Sequence, residues 1–495
     1  MKKLFLKKPL HMLLAEVHGE NRLRRILGPV ALTSLGVGAI IGTGIFVLTG
    51  VAAHDKAGSA VILSFSVAGL ACIFAALCYA EFASMVPVAG SAYTYAYATL
   101  GEFLAWIIGW DLILEYAVAS ATVAHGWSHY FQDFIGIFGL KVPPNLAKSP
   151  FDFNTSTGTF FSTGSVVDFP AIVITFIITI ILVKGIKESA GFNSTMVIIK
   201  LAVVILVIAV GAMYINSANW EPFAPYGYTG LSFFGHTIWG ETGAGGAPVG
   251  VLAGAAMIFF AYIGFDSIST HAEEAKNPQR DVPIGIITSL VLCTILYILV
   301  ATVITGMVPY DKINIDAPVS NAFYQVGLEW AQFIISLGAI AGITSVLLVM
   351  MLSQPRIFLA MSRDGLLPSN IFGAIHDKFR TPWKSTILTG IFVATLAGLL
   401  PLRILAELVN IGTLFAFVVV CSAVLIMRKT HPNAERPFKA PWFPVIPILG
   451  IITCLVLMFS LPAENWLRLV VWLAIGIIIY FFYGRKHSVL RKLHK

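Results

Sequence analysis

The chain has 495 residues, 57% of them hydrophobic and only 12% charged, with a formal net charge of +7 and a mean hydropathy of +0.85. Soluble globular domains carry about 25% charged residues, so a soluble protein is excluded and the chain reads as an all-α polytopic membrane protein. The basic excess alone would suit nucleic acid, but its placement along the chain excludes that partner too.

The first 27 residues are polar and basic and lack the apolar stretch of a cleavable signal peptide. Windows of about 20 apolar residues then give twelve spans, near 29–52, 60–84, 99–126, 168–186, 190–215, 247–272, 283–308, 328–361, 384–401, 405–428, 443–462 and 464–484. With both termini cytoplasmic, the inner segments hold 25 Lys and Arg and the outer segments 6, while Lys200 falls inside a span. The positive-inside rule fixes that orientation, and the expected location is the plasma (inner) membrane.

The expected organisation is a basic cytoplasmic segment (1–28), a first five-helix repeat (29–215), an extracellular loop (216–246), a second, inverted five-helix repeat (247–428), two peripheral helices (429–484) and a basic tail (485–495). The outer loops 127–167 and 216–246 are too short for domains but long enough to cap a vestibule. Thr242-Gly243-Ala244-Gly245-Gly246-Ala247 lacks the Gly-Lys-Ser/Thr ending of a phosphate loop. Asn154-Thr155-Ser156 matches a glycosylation sequon that is common by chance. Cys72, Cys78, Cys293, Cys421 and Cys454 sit in or beside apolar runs without CxxC spacing, so neither disulfides nor a metal site is expected. No cofactor is expected.

In the first span, Gly36-Val37-Gly38-Ala39-Ile40-Ile41-Gly42-Thr43-Gly44-Ile45-Phe46 is easy to unwind, since each Gly costs about 1 kcal/mol relative to Ala in a helix interior. The bland reading is close helix packing through small residues. The functional reading is a broken helix, whose freed N–H groups suit an anion and whose freed carbonyls suit a cation. A zwitterionic amino acid needs both. Five spans later, Phe259-Phe260-Ala261-Tyr262-Ile263-Gly264-Phe265-Asp266-Ser267 is a second apolar helix stopped by Gly and an acid. Five spans reverse the topology, and paired broken helices in corresponding halves point to a midplane transport site.

Roles follow from the geometry of a break. The positive dipole end of the second half-helix, the amides of Gly42, Thr43 and Gly44 and the Thr43 hydroxyl are expected to hold a carboxylate. Carbonyls at Ile40, Ile41, Phe260, Ala261 and Ile263 are expected to take the ammonium group. Phe259, Phe260, Tyr262 and Phe265 beside the second break are more often packing than pocket, yet one or two of them are candidate lids, Tyr262 and Phe265 foremost. Met350 is the candidate limit on substrate size, its alternative being a core residue beside Met351. Lys200 lies deep in the fifth span, where an ionisable residue is costly and functional by default. Desolvation lets a lysine exchange its proton near neutral pH, so Lys200 is the candidate coupling residue; the alternative is snorkelling to the inner surface. Glu115 and Asp266 are candidate proton or cation relays, although Asp266 could simply cap a half-helix and Glu115 could pair inside the bundle. Glu81 reads as packing or gating. His125, His129 and His271 lie near span ends, and His271-Ala272-Glu273-Glu274 is not the HExxH metal spacing.

Gly38-Ala39-Ile40-Ile41-Gly42-Thr43-Gly44-Ile45-Phe46 resembles the first-helix signature of the amino acid–polyamine–organocation (APC) permeases. Pro87-Val88-Ala89-Gly90-Ser91-Ala92-Tyr93-Thr94-Tyr95, the run Glu273-Glu274-Ala275-Lys276-Asn277-Pro278-Gln279-Arg280-Asp281-Val282-Pro283, Ser362-Arg363-Asp364-Gly365-Leu366-Leu367-Pro368 and Arg436-Pro437-Phe438-Lys439-Ala440-Pro441 are similar to its later signatures. Together they resemble most the cationic amino acid transporter branch and its bacterial relatives. The resemblance implies a LeuT-like 5+5 inverted repeat with two peripheral helices, an amino-acid site at the two breaks, and a fifth-helix lysine, here Lys200, in place of sodium. The outer loop from Trp239 to Pro248 is long for a bacterial member.

The reading is therefore a permease importing small or apolar neutral L-amino acids by proton symport and alternating access. The alternatives are a uniporter or exchanger of arginine and lysine, or a sensor that retains the fold. No catalytic constellation argues for an enzyme. The expected partners are the amino acid, protons and the bilayer, and a monomer suffices.

Overall fold

The computed structural model describes residues 6–9, 12, 25–88, 90–154, 159–243, 246–315 and 317–493. Most of the basic segment 1–28, Ala89, Thr155 and Ser156 of the sequon, and Ala244 and Gly245 lie outside them. All twelve expected spans are helical: α1 (Pro29–Ile40), α2 (Val61–Met85), α3 (Glu102–Ile137), α4 (Phe169–Lys184), α5 (Ile186–Gly211), α6 (Val251–Ile258), α7 (Pro278–Met307), α8 (Glu329–Arg363), α9 (Trp383–Leu399), α10 (Leu402–Thr430), α11 (Val445–Phe459) and α12 (Ala463–Ile479). The apolar stretch Pro29–Met85 covers 57 residues, enough for two crossings of a core about 30 Å thick at about 1.5 Å per residue. It folds over at Gly58, whose φ of +61° favours glycine.

Local chemistry sets the helix starts. Pro29 and Pro278 stand at first helical positions, where a missing N–H costs nothing. The Asp168 side chain accepts from Ala171 N–H at 3.1 Å and caps α4. α3 runs eleven residues past its expected end at 126, to Ile137, because its polar residues there are satisfied rather than solvated. Asp133 accepts from Ser336 at 3.0 Å, and Gln132 donates to the Ala147 carbonyl at 2.8 Å. Hairpins β1 (Phe151–Asn154) with β2 (Thr159–Ser162), and β3 (Leu231–Phe233) with β4 (His236–Trp239), are antiparallel and sit in the two long loops.

α3 lies along α8 and α10, and α7 along α1 and α2. Around this core α4, α5, α9 and α12 leave Ile177, Ile180, Ile205, Ile391, Val470 and Ile475 exposed, an apolar perimeter suited to hydrocarbon rather than water. The chain is an integral membrane protein.

Two spans are interrupted, the first and the sixth. α1 stops at Ile40, and after Gly42 and Thr43 the chain resumes as wide helical turns over Gly44–Leu48. α6 tightens into a 3₁₀ turn at Phe259–Tyr262, extends through Ile263 and Gly264, and resumes at Ser267–Thr270. The interruptions touch. A Cβ on Gly44 would lie 2.4 Å from Ala261 Cα, and one on Gly264, which has φ +125°, would lie 2.9 Å from the Ala39 backbone. Gly264→Ala therefore combines backbone strain with collision, a loss of about 2–3 kcal/mol or more. In thermal unfolding of purified protein, Gly44→Ala and Gly264→Ala should each melt clearly below wild type. Gly136→Ala, where the added carbon meets nothing within 4 Å, should not.

Candidate functional site

The α1 interruption begins where Ile41 leaves the helix, its N–H still donating to Val37 at 3.1 Å and its backbone extended. Beyond it, Ile45 and Phe46 both donate to the Gly42 carbonyl, at 3.2 and 3.1 Å. The amides of Gly42, Thr43 and Gly44 thus head the new turns, at the positive dipole end. The Thr43 hydroxyl is buried with no hydrogen-bond partner among the described residues.

Between the interruptions is a cavity lined by Ala39, Ile40, Thr43 and Gly44, by Ala119 and Val123 of α3, by Phe260 and Ile263, and by Val346 and Met350 of α8. Its volume of about 10 Å³ holds about one water molecule, so the site is closed. Among the described residues, Thr43 is the only polar side chain in this lining. Of the expected lids Phe260 reaches the cavity, as does Met350, the expected limit on substrate size. Tyr262 donates to the Phe65 carbonyl at 2.7 Å, and Phe265 packs on Tyr79 and Phe417; both are held as core.

The freed carbonyls divide among three users. Lys200 is fully buried, which removes the snorkelling alternative. Its Nζ donates to Gly38 O at 2.9 Å, Ile41 O at 2.7 Å and Ser345 Oγ at 2.8 Å, so all three of its protons are used. The Ile41 carbonyl, expected to face a substrate ammonium, instead faces this lysine. The Tyr297 hydroxyl of α7 contacts Ile40 O at 2.6 Å and Ala261 O at 2.8 Å. It has one proton for two acceptors and bridges the two interruptions. The Phe260 carbonyl accepts from Ile263 N–H at 3.1 Å.

Asp266 does not cap the short helix that follows it. Its Oδ1 turns back to Gly264 N–H at 3.2 Å, and its Oδ2 accepts from Tyr116 at 2.5 Å. Glu115, one turn along α3 from the cavity residue Ala119, is buried beside Asp111 and Asp266. The carboxyl oxygens of Asp111 have no hydrogen-bond partner among the described residues. Among the described residues no carboxylate lines the cavity itself.

Glu81 is tied to Arg428 by two hydrogen bonds of 2.8 and 2.6 Å. On the same face Arg356 meets Glu274 at 2.7 Å, Arg363 meets Glu273 at 3.1 Å and Arg491 meets Glu102 at 2.5 Å. On the opposite face a cavity of about 560 Å³, lined by Val51, Asp55, Lys56, Asp152, Phe161 and Asn410 among others, lies under the long loops. His125 lies 3.0 Å from Asp168 and His129 borders this larger cavity. Tyr297, Ser345 and Val346 were not singled out by sequence. A lone mid-span tyrosine, whose hydroxyl needs a partner when buried, is the signal that could have found the first.

A family model described as amino acid permease matches residues 27–483. The chain is 47% identical over 492 residues to the methylthioribose transporter of Bacillus subtilis, covering 99% of this chain and 100% of that protein. It is 48% identical over 489 residues to the branched-chain amino acid permease BcaP of the same organism, covering 99% of each. It is also 33% identical over 590 residues to the vacuolar cationic amino acid transporter 4 of Arabidopsis thaliana, covering 95% and 94%. All three are named as transporters or permeases. With a family match over nearly its whole length, the chain belongs to the amino acid permease family.

Proposed function

We propose that this permease imports small or apolar neutral L-amino acids across the plasma membrane by proton symport and alternating access. The observation that carries the substrate class is the lining of the central cavity: one hydroxyl and otherwise apolar side chains. The amides of Gly42, Thr43 and Gly44 and the Thr43 hydroxyl take the carboxylate. The Ile40 and Ala261 carbonyls take the ammonium, which displaces the Tyr297 hydroxyl. Ala119, Val123, Val346 and Met350 surround the side chain. A cationic side chain would be desolvated there without a counter-charge, which is costly.

Lys200 is the coupling residue. Charged, it holds Gly38 and Ile41; neutral, it loses a donor and its grip on the α1 interruption. Glu115 and Asp266 form the relay, with Asp111 beside them. The LeuT-like 5+5 repeat divided as 29–215 and 247–428, the peripheral pair 429–484, the cytoplasmic termini and a monomeric unit complete the reading. Similarity to the methylthioribose transporter favours one second reading, an uncharged thioether sugar in the same cavity.

Uptake into proteoliposomes tests this directly, with radiolabelled alanine, leucine, methylthioribose and arginine, with and without an inward proton gradient. Gradient-stimulated uptake of alanine or leucine is expected. Uptake of methylthioribose alone would select the second reading, and uptake of arginine alone would refute both. Lys200→Ala should retain fold by gel filtration yet lose gradient stimulation. Unchanged stimulation would remove the coupling role.

Two further substitutions probe the cavity. Tyr297→Phe frees two carbonyls, and a buried acceptor left unpaired costs about 1–3 kcal/mol. If Tyr297 only braces the empty site, apparent affinity for leucine should hold or rise while melting temperature falls; a loss of affinity with unchanged melting would assign it a direct contact. Met350→Ala removes part of one wall, and competition assays should show a shift toward bulkier side chains such as phenylalanine.

A further inference from the structure

A groove of about 460 Å³ runs between the first two turns of α7 and the loop before α11, lined by Gln279, Arg280, Pro283, Ile284, Ile287 and Phe438 among others. Its far wall is preformed. Phe438 N–H donates to Ser84 Oγ at 3.2 Å and Ala440 N–H to Glu81 Oε2 at 2.8 Å, which pins that loop on α2. Arg280 is exposed and has no ion pair among the described residues. The acid next to it, Asp281, is buried and accepts from Asn277 N–H at 3.2 Å, so it is turned to its own helix start. Lys276 and Lys439 are exposed on either side. The mouth of the groove is therefore cationic.

Its floor is not. Ile284, Val291, Ile295 and Leu299 are 39%, 40%, 52% and 41% exposed and recur at helical spacing along one face of α7. That stripe begins in the groove at Ile284 and continues as membrane-facing surface. A soluble anion would use the mouth and leave the floor uncovered, whereas an apolar peptide would leave Arg280 without a partner. We propose that the groove is a site for an anionic glycerophospholipid, with its phosphate on Arg280 and one acyl chain along the stripe from Ile284 to Ile295. A guanidinium matches phosphate oxygens in a bidentate fork. The lipid would join α7 to the α2-anchored loop, and so brace a contact between elements that flank the two interruptions.

The test uses purified, delipidated full-length protein titrated with phosphatidylglycerol or phosphatidylcholine, read by lipid retention in native mass spectrometry and by thermal shift. Wild type should retain phosphatidylglycerol over phosphatidylcholine and melt higher with it. One membrane-proximal cation is worth about 1 kcal/mol, so Arg280→Gln should retain phosphatidylglycerol about fivefold less, Arg280→Lys should recover most of it, and the outer-side control Lys312→Gln should match wild type. Thr288 also lines the groove, and Thr288→Trp, which fills the floor without changing charge, should also lower retention. Equal retention of the two lipids, unaltered retention in Arg280→Gln, or an equal thermal shift from glycerol phosphate alone would each overturn the proposal.

Discussion

A backbone buried at membrane depth cannot leave its carbonyls unpaired, and the interruption after Ile40 creates carbonyls that no helix satisfies. The Lys200 ammonium resolves this for Gly38 and Ile41 at once, and its third proton goes to Ser345 of α8. One charged group therefore holds together an unwound segment, the helix that carries it and the wall opposite. Ser345 in turn donates to Gly342 at 2.7 Å and sits 3.1 Å from Gly38 O, so the arrangement is closed on itself. The polar part of the cavity, from the Thr43 and Gly44 amides to the Thr43 hydroxyl, is presented from the segment this lysine steadies.

The second interruption depends on a neutral counterpart. Tyr297 spans from Ile40 O to Ala261 O, and Asp266 folds back on Gly264 while gripping Tyr116 of α3. The two unwound segments are thereby fixed to each other and to neighbouring helices by side chains rather than by their own helical ladders. Gly44 and Gly264 permit the contact because neither offers a Cβ where the other segment's backbone passes. Removing any one of these devices loosens the same small volume.

Much of this was legible in the sequence. Hydropathy located every span, and the two glycine-bearing interruptions and Lys200 stood out because each violates what an apolar helix wants. What escaped has a common physical cause. Tyr297, Ser345 and Val346 lie on helices with ordinary membrane composition, and only tertiary packing aims them at the interruptions. Asp266 was legible as a polar stop but not in its partner, since an acid before a helix suggests a cap and the Tyr116 hydroxyl comes from another span. The extra turns of α3 were invisible to hydropathy, which reads His125, His129, Gln132 and Asp133 as water-facing when the fold pairs several of them internally. Aromatic residues beside an interruption were ambiguous for a similar reason: Tyr262 and Phe265 turn into the core, and Phe260 lines the cavity.

The ion pairs on the basic face bear on how the molecule spends its time. Arg356 and Glu274 join α8 to the residues just after the resumed part of the sixth span, and both side chains are almost wholly buried. Separating such a pair without replacement costs about 3–5 kcal/mol, which would hold the state open on that face to between roughly one molecule in 150 and one in several thousand. Water reaching the separated charges returns part of that cost. A solute that shifts this balance must therefore interact more favourably with the state in which that face is open, because equal affinity for both states moves no population. Occupancy of the central cavity and the rarity of opening on the basic face are then two readings of a single equilibrium.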